Sequence, residues 1–395
     1  MFNNVIIDWI PSGACPRLRS GEGMTHRKNK IYFTFVLALV VRLISLYLFR
    51  NVTNYDLQSY LQVGELTLKG VNIYPAVANL HYPYFPFFLY VEALAVWLGH
   101  EKIIIIIIIK FITVIFDLGI LYLIFLLSKK NLKTAFSYAI NPVTILITTL
   151  HGQFDVIPVF FILLAIYLIK IKKELLSVLS FSFAILTKTW PILFVIPIIR
   201  KLKGIFSLDS RLRGNDTIKF ILLLTLILIL PVLFTIIYCL FFKTNPIDIG
   251  KTLISYQGLW GIWGIWDLLG KTRILWQKLS TLVFLTCFFG YSWFKTEKNL
   301  IKNILKLLFF FFIFTTNFSI QYFVWIIPFL ILIKPKNYLY LIILIGIYLL
   351  SFYYIWLFCL NCKATPYWLV ISQNIIGFVL WLSFIKVGYL SKKIS

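Results

Sequence analysis

The chain has 395 residues, 61% of them hydrophobic and 13% charged. Soluble domains carry about a quarter of their residues as charges, so this composition excludes a water-soluble fold and predicts apolar runs of about 20 residues that cross a bilayer. The net charge of +24 sits in short clusters between oily runs: HRKNK at 26–30, KKNLK at 129–133, KIKK at 170–173, RKLK at 200–203, KTEKNLIKNILK at 295–306, KPK at 334–336 and KK at 392–393. That is the positive-inside pattern of cytoplasmic loops, and it excludes nucleic acid as the partner.

Residues 1–23 read as a doubtful N-terminal extension. IDWIPSGACPRLRSGEG (7–23) and LDSRLRGND (208–216) are polar, share an Arg-Leu-Arg core and resemble translated bacterial intergenic repeats. Met24 is therefore the expected working start, and the second copy an insertion tolerated in a cytoplasmic loop at about 200–218. Residues 24–395 form a single transmembrane domain. Its first helix spans 31–50, running outward from HRKNK, and a first outer loop covers 51–102. In that loop YDLQSYLQVGELTLKG places Leu57, Leu61 and Leu66 among polar residues, which predicts an interfacial helix stopping at Gly70. YPYFPFFLYVEALAVWLG (82–99), with Glu92, predicts a second interfacial helix or a short span.

Further helices are expected at 103–128, 134–150 and 156–170, which brings HGQFD (151–155) outside. KIKK and RKLK both belong inside, although only a short segment separates them. Lys188 and Pro191 in LTKTWP interrupt that segment, so two broken helices meeting near the outer face are expected. Helices at 219–242, 277–294, 304–318, 321–333, 338–358 and 367–387 follow, with a late outer loop at 243–276. The sum is an all-α polytopic protein of about 12 spans, between roughly 10 and 14. The five cysteines, including Cys359-x-x-Cys362, lack zinc spacing and read as small apolar residues.

Two acids, Asp56 and Asp155, fall in outer loops and are expected to converge on one cavity at the rim of the bilayer. There a carboxylate can act as general base toward a hydroxyl; the bland alternatives are a helix cap in TNYD and a solvated loop acid. HGQFD places His151 and Gln153 beside Asp155. Lys188, between oily helices, costs roughly 2.5–3.5 kcal/mol unless it reaches water or an anion, so it reads as a phosphate contact or as a snorkelling side chain. Lys251 and Arg273, with Lys271, are further phosphate candidates or an ordinary basic rim. Trp260, Trp263 and Trp266 repeat every three residues, as a sugar-stacking surface or an interfacial aromatic belt. Gln321 and Tyr322 open a helix beside Trp325 and line a cavity or pack. Asp117, seven residues after Lys110, is expected to face other helices as a polar anchor. No D-x-D pair occurs at either outer acid, so no metal or other cofactor is expected, a divalent cation being the unfavoured option.

NYDLQSYLQVGELTLKGVNIYPAVANLHYPYFPFF resembles the first outer loop of the GT-C glycosyltransferases, in which an acid follows helix one, then Gly-x-x-x-Tyr-Pro, then Tyr-Pro-Pro. Those positions read here as Asp56, GVNIYP (70–75) and YPYFP (82–86), the last with Tyr84 and Phe85 between its prolines. HGQFDVIPVFFILLA, ILTKTWPILFVIP, YQGLWGIWGIWDLL and SIQYFVWIIPFL are similar to four later motifs of that superfamily, so that the likeness covers about residues 31 to 335. The resemblance implies an inverting hexosyltransferase in a prokaryotic cell membrane, with an extracytoplasmic site. The donor would be a polyprenyl-monophosphate sugar, mannose before glucose. The acceptor would be lipid-linked, a glycan or a protein, and membrane lipids would surround the chain. Asp56 would be the base, with His151, Gln153 and Asp155 orienting hydroxyls. The rival readings are a transporter or flippase, and a polymerase or ligase, of lipid-linked saccharides; no internal repeat of the transporter kind is visible.

Overall fold

The computed structural model describes residues 21–76, 82–206, 216–255, 263–264, 273–295, 297–359 and 366–392. Among these the regular structure is helical, with no strand. Among the described residues five helices are long and apolar enough to cross a membrane, and six shorter apolar helices accompany them. Residues such as Leu240, Phe241, Tyr32 and Phe33 are exposed, as a lipid-facing surface requires. The chain is a helical membrane protein. The expected total of about 12 spans counts several of the shorter helices as crossings.

Helix α1 (Gly21–Leu48) leads to α2 (Tyr55–Leu68), which ends two residues before Gly70, where φ is +70°. A one-turn helix, α3 (Ile73–Ala76), and α4 (Phe88–Gly99) follow within residues 51–102. Helix α2 packs on α4, and the crossing is close: a Cβ at Gly64 would lie 2.7 Å from the Glu92 carbonyl oxygen. Glu92, the acid in the segment expected to be an interfacial helix or a short span, is fully buried. Helix α5 (Lys102–Leu127) carries the isoleucine run.

The expected helix at 134–150 is not continuous. It divides into α6 (Leu132–Ala139), α7 (Pro142–Ile145) and a π-helical turn, Leu146–His151. Pro142 has no N–H to continue the ladder, and Asn141 Oδ1 accepts from Val143 N at 3.0 Å, starting a new helix. Helix α8 (Val156–Lys170) lies where the sequence places it, and α9 (Glu174–Thr187) packs against it. Lys188 is extended, followed by a 3-10 turn at Trp190–Phe194 and α10 (Val195–Phe206), so the interruption at LTKTWP is present.

The remainder is α11 (Asp216–Phe242), α12 (Pro246–Ser255), α13 (Arg273–Phe294), α14 (Leu300–Phe314), a 3-10 turn (Ile320–Tyr322) leading into α15 (Phe323–Ile333), α16 (Tyr338–Cys359) and α17 (Tyr367–Lys392). Most of the doubtful extension and of the inserted loop, with Trp260, Trp266, Lys271 and Cys362, lies outside the described residues.

A buried ion pair ties the first helices together. Arg42 Nε donates to Asp117 Oδ2 at 2.5 Å, and Arg42 also donates to the carbonyls of Ala38 (3.1 Å) and Ala139 (2.9 Å). Tyr138 donates to the other Asp117 oxygen at 2.5 Å. Both charged side chains have no exposed surface. Asp117 is thus the polar anchor that the sequence suggested, and its partner is Arg42 of α1, not Lys110. Lys110 instead caps the end of α1, donating to the carbonyls of Phe49 (2.9 Å) and Val52 (3.2 Å). Asp117→Ala strands a buried guanidinium and is expected to cost about 3–5 kcal/mol. Thermal unfolding in detergent should show the loss, and Arg42→Met combined with Asp117→Leu should recover much of it.

Candidate functional site

Asp56 stands in the first turn of α2. It is not the cap of that helix: Asn54 is, its Oδ1 accepting from Leu57 N at 2.7 Å. The same Asn54 amide donates to the His151 carbonyl at 2.6 Å. One side chain therefore joins the start of α2 to the HGQFD turn, and Asp56 follows two residues later. The turn itself depends on Gly152, whose φ of +76° disfavours a side chain. A Cβ there would also meet Leu57 at 3.0 Å and Lys110 at 3.1 Å.

Two donors converge on one oxygen of Asp56. Gln153 Nε2 lies 2.5 Å from Oδ2, and His151 Nε2 lies 3.4 Å from it. Oδ1 has no protein partner among the described residues. The Asp56 side chain keeps 38% of its surface exposed. Gln153 is held the right way round by its other end: Oε1 accepts from Tyr60 at 3.0 Å and from Lys188 at 3.3 Å, so its NH2 faces the carboxylate. His151 Nδ1 meets the Tyr353 hydroxyl at 3.1 Å, from α16.

Asp155 is different. It is fully buried, and both of its oxygens are engaged: Oδ2 by Lys188 at 2.6 Å, Oδ1 by the Trp325 indole N–H at 2.8 Å. Lys188 is itself buried, its ammonium 4.4 Å from the Phe154 ring centroid and 5.1 Å from that of Tyr84. Within the protein the anion that offsets the Lys188 charge is Asp155, which accepts one hydrogen bond on each oxygen, from Lys188 and from Trp325.

Burial raises the pKa of Asp56, but the hydrogen bond from His151, the charges of His151 and Lys188 and the bond from Gln153 outweigh it, leaving the carboxyl below its ordinary value of 3.8. Asp56 is therefore an anion at neutral pH. Its contribution to stability is complete above 3.8 and is lost as pH falls through the lower folded value.

The other candidates divide. Tyr322 stacks on Trp325 at 4.2 Å and so touches the site through it; Trp190 stacks on Trp325 at 4.0 Å. Gln321 accepts from the hydroxyl of Ser319, two residues away. Trp263 is not brought to Asp56. It is buried, donates to the Phe312 carbonyl at 2.7 Å and stacks on Phe318. Lys251 is exposed on α12, with Asp248 at 4.0 Å, an ordinary surface pair. Arg273 opens α13, and its side chain lies outside the described residues. Among the described residues no group of three or more His, Cys, Asp and Glu is placed to hold a metal ion. Tyr60 and Tyr353 were not singled out by sequence, since a tyrosine on an apolar helix carries no signal of its partner.

A scan against protein-family models found no match, and a search of curated proteins found no significant relative. The function is accordingly argued from the site.

Lys188→Met leaves Asp155 buried without its cation and is expected to cost about 3–5 kcal/mol. Adding Asp155→Asn removes the stranded charge while keeping an acceptor for Trp325. The double variant should melt above Lys188→Met alone, a non-additivity that a thermal double-mutant cycle measures directly.

Proposed function

We propose that the protein is an inverting glycosyltransferase that moves a hexose, mannose before glucose, from a polyprenyl monophosphate to an acceptor hydroxyl at the outer face of the membrane. One observation carries this reading: Asp56 is an ionised, part-exposed carboxylate with one oxygen fixed by two donors and the other without a protein partner. That is the arrangement a general base needs, with an oriented acceptor for a proton and an open edge for the group that gives it. The GT-C likeness of the surrounding motifs supplies the donor class, and with it a fold of about 12 spans in a prokaryotic cell membrane.

In the reaction the acceptor oxygen attacks the anomeric carbon as its proton passes to Asp56. The bond from that carbon to the phosphate oxygen breaks, and polyprenyl phosphate leaves as an anion. The leaving group needs no proton, so one carboxylate suffices, in contrast to the paired acids of glycoside hydrolases. Asp155 and Lys188 belong to the frame that orients Gln153, and through it Asp56. The acceptor is a lipid-linked saccharide, a glycan or a protein.

Membranes carrying the protein, supplied with radiolabelled polyprenyl-phosphate mannose or glucose, should transfer label. Asp56→Asn should insert normally and lose transfer by a factor of about 10²–10⁴, the usual worth of a positioned base; full activity in that variant ends the assignment.

The base must be ionised, so the rate should hold at neutral pH and fall only as pH drops below 3.8 through the Asp56 pKa. His151→Ala removes two of the influences that lower this pKa, and it should move the acid limb to higher pH. A pH–rate profile of the two proteins decides it.

A further inference from the structure

Among the described residues His151 is the one titratable side chain hydrogen-bonded to Asp56, and which of its ring nitrogens carries the proton decides whether it holds the carboxylate or repels it. Its Nε2 faces Asp56 Oδ2, and an ionised carboxylate only accepts. Its Nδ1 faces the Tyr353 hydroxyl at 3.1 Å, the rings meeting edge to face with centroids 5.8 Å apart. Tyr353 is 2% exposed, and His151 is the hydrogen-bond partner of its hydroxyl among the described residues. The two residues lie 202 positions apart, so α16 is brought to the HGQFD turn by the fold and not by local sequence. Trp356, one turn further along α16, covers the imidazole at 5.7 Å.

We infer that Tyr353 is a positioning residue that fixes His151 as the Nε2–H tautomer, donating to Nδ1 so that His151 donates to Asp56 Oδ2 and leaves Oδ1 for the incoming hydroxyl. The tautomer assignment stands on geometry alone; its consequence for transfer rests on the glycosyltransferase reading. The charged and titratable groups that face this unit are Asp56 and Tyr60 from α2, Lys188 with Asp155 across Gln153, and Tyr353 from α16. Removal of the Tyr353 hydroxyl changes none of these charges. It frees the imidazole to place its proton on Nδ1, whereupon the Nε2 lone pair faces the carboxylate.

The test has two arms. The chain has four histidines, so ¹⁵N-histidine NMR of the whole protein in nanodiscs is tractable, with the His151 signals assigned by their loss in His151→Gln. The wild type should show His151 protonated on Nε2, and Tyr353→Phe should show a mixture of tautomers. An Nδ1–H tautomer in the wild type, or an unchanged spectrum in Tyr353→Phe, overturns the inference. In the transfer assay Tyr353→Phe should lower kcat about threefold to tenfold, the net worth of one hydrogen bond. The donor KM should stay unchanged. A fall in kcat without a tautomer mixture in the Tyr353→Phe spectrum would mark a merely structural role and also overturns it. Should the wild type transfer no sugar while the tautomer behaves as stated, the glycosyltransferase reading falls and the assignment of Tyr353 stands.

Discussion

An ammonium and a carboxylate, both nearly removed from solvent, meet at 2.6 Å where α9 breaks and α8 begins, and the candidate site is arranged around them. Neither charge is tolerable there alone. Together they need every remaining donor and acceptor satisfied, and the structure does this with Trp325 on one Asp155 oxygen, Gln153 on the lysine and two aromatic rings under the ammonium. Trp325 is fixed in turn by stacking against Trp190 and Tyr322. The helices that supply these groups are far apart in sequence, so the pair acts as a registration point for α8, α9 and α15 at one depth.

From this pair the constraint passes outward to Asp56. Lys188 fixes Oε1 of Gln153, Tyr60 shares that oxygen, and the Gln153 amide then has only one way to point. The two acids thus differ through their surroundings. Asp155 has both oxygens hydrogen-bonded within the protein, while among the described residues Asp56 has one bonded and one open. Pairs of titratable groups separated in this way by environment are how a single site divides structural from chemical work.

Much of this was legible in the sequence, and what was not has a physical cause. Polar residues among oily runs are costly, so His151, Gln153, Asp155, Lys188 and Asp117 stood out, and all five are buried and bonded. The helix that stops just before Gly70 and the break at LTKTWP followed from local rules of periodicity, glycine and proline. Partnership was not legible. Lys188 needed an anion, but composition does not say whether substrate or protein brings it, and Asp155 lies 33 residues away. Trp263 sat in a tryptophan repeat that suits either sugar stacking or packing, and the described fold uses it for packing. The break at Asn141-Pro142 was missed because the apolar pattern runs straight through it, while backbone chemistry does not.

The segment between α1 and α2 shows why Asp56 can be placed so closely without being buried. Exposed loops ordinarily have freedom to move. Here Lys110 holds the carbonyls of Phe49 and Val52, and Asn54 both caps α2 and binds the His151 carbonyl, so the chain is fastened on either side of the turn into the helix. Gly152 permits the approach, since a side chain there would press on Lys110 and Leu57, which belong to those two fastenings. The π-helical turn before it supplies the register: its ladder closes on Gly152 N, which donates to the Ile147 carbonyl at 3.0 Å, and Gln153 N shares that carbonyl. A regular α-helix through the same residues would turn His151 and Gln153 by a different angle about the axis and separate them from Asp56. The irregular backbone at 146–152 is therefore what allows His151 and Gln153 to face the carboxylate on α2.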